Sequence, residues 1–309
     1  MSDARGSIAA NTTTTANTSF TQKKIKLTVT RAKGNFASSR TNTIVFENLR
    51  IQFQGLTSQG TTQGVVQGNT TTAVFGLSES DMNDLYYTGE AGQLAGPFNT
   101  IRVEAGDDAG MTVVHVGQII SATQDFNGMP DAAFIMNTIS GYDVQTVMIG
   151  PSSFGAGVPV SVVLKDMAGR AGLNYVDQGI PGTLTQCVYE AHSARDQIAA
   201  ICQAYNVGSL IESGTLYVWD KKVGRKIEMP IISATTGLMG YPTRDAISVN
   251  FKCLYNPKIH YAGPVKIESS INQVNGIWLP TRIMQTLQSE TPGGFWMMDV
   301  SAQRTLVPF

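Results

Sequence analysis

The chain has 309 residues, 42% of them hydrophobic and 15% charged, with 31 glycines and 22 basic against 23 acidic side chains, a formal net charge of −1. A charged fraction well under the usual quarter, with abundant glycine, suits β-rich modules with many turns, and the length permits two or three domains. The near-neutral balance excludes a protein that holds nucleic acid by neutralising phosphates, and no apolar run approaches the roughly 18 residues of a membrane-spanning helix.

Residues 1–22 are rich in Thr, Asn, Ser and Ala. Such a stretch cannot bury enough surface to offset its ordering entropy, so a flexible arm is expected; the alternative is an arm that orders against a neighbouring subunit. It lacks the apolar core of a signal peptide, so folding in a cytoplasm is expected. From Lys23 the pattern becomes period two: Ile25, Leu27 and Val29 alternate with polar residues as a half-buried strand requires. Strands are also expected at Ile44-Val45-Phe46 and Leu49-Arg50-Ile51-Gln52-Phe53. Residues 55–72 read as a long loop or loosely defined hairpin. A strand at 73–77 precedes a short helix at 78–87, with Ser78 and Asp81 as its capping box and Met82, Leu85 and Tyr86 on its apolar face. Further strands are expected at 101–105, 113–123 and 132–140, the last two joined at Asn127-Gly128.

The middle differs in kind. Val160, Val163, Leu164, Met167, Ala168 and Ala171 have helical spacing, ending near Gly172. A second helix starts at Ser193 with Asp196 three residues on, and its inner face is Ile198, Ile201, Cys202 and Tyr205. A hairpin follows, 209–212 and 215–219, turning at Ser213-Gly214. Helices beside a small sheet imply an α+β domain over 151–225, bounded by the basic run near Lys221-Lys222-Val223-Gly224-Arg225. Residues 226–309 are β-rich again, with Pro242, Pro257, Pro264 and Pro280 expected between strands.

The first and last parts repeat one grammar. Residues 73–78 parallel 250–255, 96–105 parallel 263–269, 119–124 parallel 283–288, and 134–140 parallel 295–301. The expected fold is mainly β with a small α+β domain: two similar antiparallel β-barrels, in 23–150 and 226–309, separated by that domain. Soluble oligomers close by rotation. A homotrimer of a duplicated barrel presents six similar barrels and can join a sixfold partner to a threefold one.

Gly240-Tyr241-Pro242-Thr243, Leu254-Tyr255-Asn256-Pro257 and Gly263-Pro264-Val265-Lys266-Ile267 resemble the hub protein of phage tail baseplates, as do Ile101-Arg102-Val103, Gly117-Gln118-Ile119, Leu216-Tyr217-Val218-Trp219 and Trp296 after Gly293-Gly294. The resemblance spans about residues 40–309. It implies a structural virion protein: a homotrimeric ring at the end of the tail tube, in a tail of contractile type. A hexameric tube or distal tail protein would sit above it and a trimeric spike protein below, with the tape-measure protein ending in the lumen. It gives the arm no role.

No enzyme chemistry is expected. Gly150-Pro151-Ser152-Ser153-Phe154-Gly155 has Phe154 where a nucleophile elbow needs glycine. His115, His192 and His260 are scattered, His115 reading as a hydrogen-bonded wall residue. Asp107-Asp108 reads as a turn, far short of the about six to eight oxygens of a calcium site. Three separated cysteines, Cys187, Cys202 and Cys253, make neither a disulfide framework nor a zinc site, so no cofactor is expected. Tyr86, Tyr87, Tyr241, Tyr255 and Tyr261 are the candidate interface residues, with burial as caps of barrel ends the alternative. A second functional class stays open: a carbohydrate- or surface-binding β-module protein with Trp278 and Trp296 as stacking platforms.

Overall fold

The computed structural model describes residues 21–37, 39–59, 65–86, 98–185, 187–189 and 192–304. The first part contains β1 (Lys24–Thr30), β2 (Thr43–Phe46), β3 (Ile51–Gln59), β4 (Val66–Phe75), α1 (Glu79–Leu85), β5 (Thr100–Asp107), β6 (Gly110–Asp125) and β7 (Ala133–Ile139). The middle contains α2 (Tyr142–Thr146), β8 (Met148–Ile149), β9 (Ser152–Phe154), α3 (Val160–Arg170), β10 (Asn174–Asp177), β11 (Cys187–Tyr189), β12 (His192–Ser193), α4 (Ala194–Ala204), β13 (Val207–Glu212) and β14 (Thr215–Asp220). The last part contains β15 (Ile231–Ser233), β16 (Leu238–Arg244), β17 (Ser248–Leu254), β18 (Val265–Glu268), β19 (Gly276–Ser289) and β20 (Trp296–Arg304). The fold is mainly β. Most of the expected arm, and Gly96-Pro97 with it, lies outside the described residues; Thr21 is tied to Asp107 at 2.6 Å.

The local signals act as their chemistry requires. In β1, Ile25, Leu27 and Val29 are buried and their neighbours are not. Ser78 and Ser193 each accept a hydrogen bond from the backbone N–H three residues on, at 3.1 Å, satisfying a donor that the first turn leaves open. Val160, Val163, Leu164, Met167 and Ala168 form the buried stripe of α3, and Gly172 beyond its end takes φ +74°. Ser213 and Gly214, both at positive φ, turn β13 into β14.

Two expectations are sharpened or corrected. Of the two readings of residues 55–72, the described part bears out the hairpin and not the long loop: β3 and β4 pair antiparallel from Ile51↔Val74 to Gln59↔Val66. Val66, Gly68, Thr70, Thr72 and Val74 face inward in strict alternation, so small polar residues occupy core-facing positions that sequence reading reserves for large apolar ones. Pro242 and Pro280 lie within β16 and β19, not between strands. Both fall at register shifts, 239–243 and 280–282, where a strand tolerates a residue without an N–H.

Pairing runs in one path, β16-β17-β20-β19-β3-β4-β7-β6-β5-β1-β2, within a 16-stranded sheet. The order β3-β4-β7-β6-β5 of the first part recurs as β16-β17-β20-β19-β18 in the last, antiparallel throughout. The details recur too. A bulge before Ser121 in β6, opposite Asn137, matches one before Arg282 in β19, opposite Ser301. Arg102 pairs with Glu104 at 2.9 Å on β5, and Lys266 with Glu268 at 2.7 Å on β18. These pairings match the four sequence parallels strand for strand, but place three of them two or three residues away from the sequence alignment. Period two specifies a face, not a partner.

Hydrophobic clusters follow the chain. One gathers β1, β3 to β7 and α1; one joins α3 and α4 to β13 and β14; one lies within the last part. Leu287 of β19 is fully buried in the first cluster, because β19 pairs with β3 over eight residues, from Arg282↔Ser58 to Ser289↔Ile51. Leu287→Ala should lower unfolding stability by about 2–5 kcal/mol, as buried leucine truncations do. Urea unfolding followed by far-UV circular dichroism checks this; a loss under about 1 kcal/mol would mean that the joint can collapse around the cavity.

Candidate functional site

The candidate tyrosines do not form one patch. Tyr86 caps the end of α1 and is exposed; Tyr87 lies outside the described residues. Tyr241, in the bulged stretch of β16, is 74% exposed. Tyr255 and Tyr261 turn inward instead. Tyr255 packs against both the first and the last clusters, meets Trp296 edge-on at 6.0 Å, and shares a 3.3 Å hydrogen bond with Thr112. Tyr261 meets Trp219 edge-on at 6.2 Å. Burial pushes both phenols up from their ordinary range.

Where the three parts of the chain meet lies a cavity of about 70 Å³, bordered by His115, Glu212, Arg225, Tyr255, His260 and Tyr261. Arg225 is its unusual wall. It is 5% exposed; its backbone N–H donates to the Ala262 carbonyl at 2.8 Å, and its guanidinium stacks over Tyr217 at 4.7 Å. Its Nε and Nη1 are buried without a hydrogen-bond partner among the described residues. Burial lowers its pKa, and Glu212 across the cavity opposes that. The expected boundary near 221–225 is thus a packed junction. Nothing in the basic run distinguishes Arg225 from its lysine neighbours, which is why sequence reading missed it.

His115 is the hydrogen-bonded wall residue that its strand context implies. It is 8% exposed, and Nε2 lies 2.9 Å from Thr138 Oγ1. Glycines make room for it: a Cβ at Gly117 would stand 2.5 Å from its ring. Burial depresses its pKa to about 4, so it is neutral at pH 7 and a weak base. Cys202 and Cys253 are buried, their thiols pushed up to about 11 and about 12, which makes both poor nucleophiles. Ser152, near the failed elbow, is buried and bonded to Arg170 and Gln197. Asp107 accepts from Thr21, Lys23 and the Ala109 N–H. These bonds hold its carboxyl below the usual range and define a turn. Among the described residues no three His, Cys, Asp or Glu side chains gather as a metal site. Trp278 is 2% exposed, and its indole N–H donates to the Val274 carbonyl at 2.8 Å, so it cannot offer a sugar a stacking face.

The fold is that of phage tail proteins. The chain is similar to the 43 kDa tail protein of prophage MuSo2 from Shewanella oneidensis, at 8% identity and TM-score 0.57, covering 92% of this chain and 97% of that one. It is equally similar to a tail protein from Neisseria meningitidis MC58, at 8% identity, TM-score 0.59 and the same coverage. No curated protein sequence matches it. Residues 24–298 match the family of baseplate hub gp41. The chain belongs to that family, a structural component of the phage tail baseplate and not a class of enzyme.

The shift of His115 has a measurable consequence. Its folded pKa lies below its unfolded 6.5, so the stability tied to its neutral form is complete above pH 6.5 and is lost as pH falls towards 4. At 1.36 kcal/mol per pH unit that amounts to roughly 3 kcal/mol. His115→Gln should remove about that much of the stability loss between pH 7 and pH 4, read by urea unfolding at each pH. Equal losses in both proteins would contradict the buried, neutral assignment.

Proposed function

We propose that the protein is a homotrimeric hub ring whose two β parts alternate around the axis, pseudo-sixfold on one face and threefold elsewhere. In this reading it adapts a sixfold tail tube or distal tail protein to a threefold spike protein, with the tape-measure protein ending in its lumen. The observation that carries the reading is the recurrence of one five-strand pairing order, with its bulge and ion pair, in both halves of one chain. Two equivalent units per copy and three copies give six equivalent positions, which is what a sixfold partner needs; odd closure of the whole chain supplies the threefold side. Membership of the baseplate hub family supports the same placement.

Native mass tests this directly. The purified protein, alone or mixed with its candidate spike, should give 99.3 kDa per ring, three copies of 33.1 kDa. A monomer or dimer in both samples would leave the repeated order without its symmetry role.

A further inference from the structure

The joint inside one chain defines a second joint between chains. Within the chain, β3 lies along the outer edge of β19, beside β18. In the repeated order β16 stands where β3 stands, and β6 where β19 stands. The corresponding edge of β6, from Ser121 to Asp125, pairs only with β7 among the described residues. The far edge of β16 is likewise unpaired among the described residues, where β16 pairs only with β17. One half has its slot filled from within; the other has an empty slot and a spare strand.

Register carries the match to single residues. The pairings Thr72↔Met136 and Phe251↔Val300, and the shared bulge, align β4 with β17 and β6 with β19. On this alignment Phe126, next after β6, stands where Leu287 stands, and the bulged 240–242 stretch stands where Phe53 stands. Leu287 and Phe53 are opposite each other in the chain's own joint, 0% and 1% exposed. Their counterparts Phe126 and Tyr241 are 54% and 74% exposed. Large aromatic side chains that are bare at the very positions buried in the first joint mark a surface awaiting the same partner.

We propose that β16 of one copy pairs antiparallel with the free edge of β6 of the next, repeating the β3–β19 joint with Tyr241 packed against Phe126. The occupant is a second copy of this chain, because the contact is the chain's own joint carried across the repeat. It is heterologous, so it closes only by rotation; three copies then hold six joints of one kind, three within chains and three between. The inference rests on the ring reading above and names its interface.

The alignment sets Asp125 opposite Thr243, as Thr286 stands opposite Gln54. Opposed Cα atoms in an antiparallel pair, about 4.5–5.5 Å apart, lie within disulfide range. The full chain carrying Asp125→Cys and Thr243→Cys should, on mild oxidation, give a ladder ending at three covalently linked copies on a non-reducing gel. Each single variant alone should give none, and a mixture of the two should give linked dimers. Val45→Cys with Thr243→Cys, using the exposed edge strand β2, should stay unlinked. Native mass under reducing conditions separates the two ways of failing. A trimer that does not cross-link, or cross-links no better than the β2 control, overturns this joint and leaves the ring standing. A chain that forms no trimer overturns both.

Discussion

The pairing of β3 with β19 is the constraint on which the rest of the architecture depends. It brings together strands more than 200 residues apart in sequence and holds them in one register over eight pairs. Ser289 seals its end, donating to the Leu49 carbonyl at 2.9 Å and accepting from the Ile51 N–H at 3.3 Å. Phe53 and Leu287 are buried across it, each worth about 1.5–3 kcal/mol relative to exposure. Closing so long a loop costs little more than closing a short one, since the entropy grows only logarithmically. A modest joint can therefore tie the two halves into one sheet.

The middle part braces that sheet at a junction with little slack. A methyl group at Gly208 would stand 2.3 Å from Trp219, and one at Gly224 2.8 Å from the Ala262 carbonyl. Arg225 enters the same junction with two buried nitrogens that have no hydrogen-bond partner among the described residues, a costly arrangement offset in part by the faces of Tyr217 and Trp219. Under the proposed adaptor role such fixity would hold the relative orientation of the parts that face different partners.

Much of this was legible in the sequence, and the reasons are local. Alternation in β1, helical spacing in α3, and the Ser78 and Ser193 caps each depend on a few adjacent residues. The repeat of four strands was legible as grammar but not in register: the two-residue slip at β4 leaves alternation intact, and the three-residue slips fall on β6 and β7, the strands on either side of the bulge, whose extra residue the sequence does not mark. The register of the β3–β4 hairpin was obscured by Gly68, Thr70 and Thr72 at core-facing positions of β4; the Thr70 hydroxyl bonds that of Thr138 on the neighbouring β7. Pro242 and Pro280 read as breaks because the bulges that admit them have no signature of their own. Of the tyrosines, only long-range packing separates exposed Tyr241 from inward-facing Tyr255 and Tyr261.

The central claim is that the two halves of each chain occupy equivalent positions around one axis. End-on electron micrographs of the assembled particle, averaged without imposed symmetry, measure this most directly through their rotational power. A strong sixfold component at the radius of the sheets, with threefold power elsewhere, is the predicted result. Threefold power alone at every radius would contradict it, because the two halves would then be related by topology and not by position.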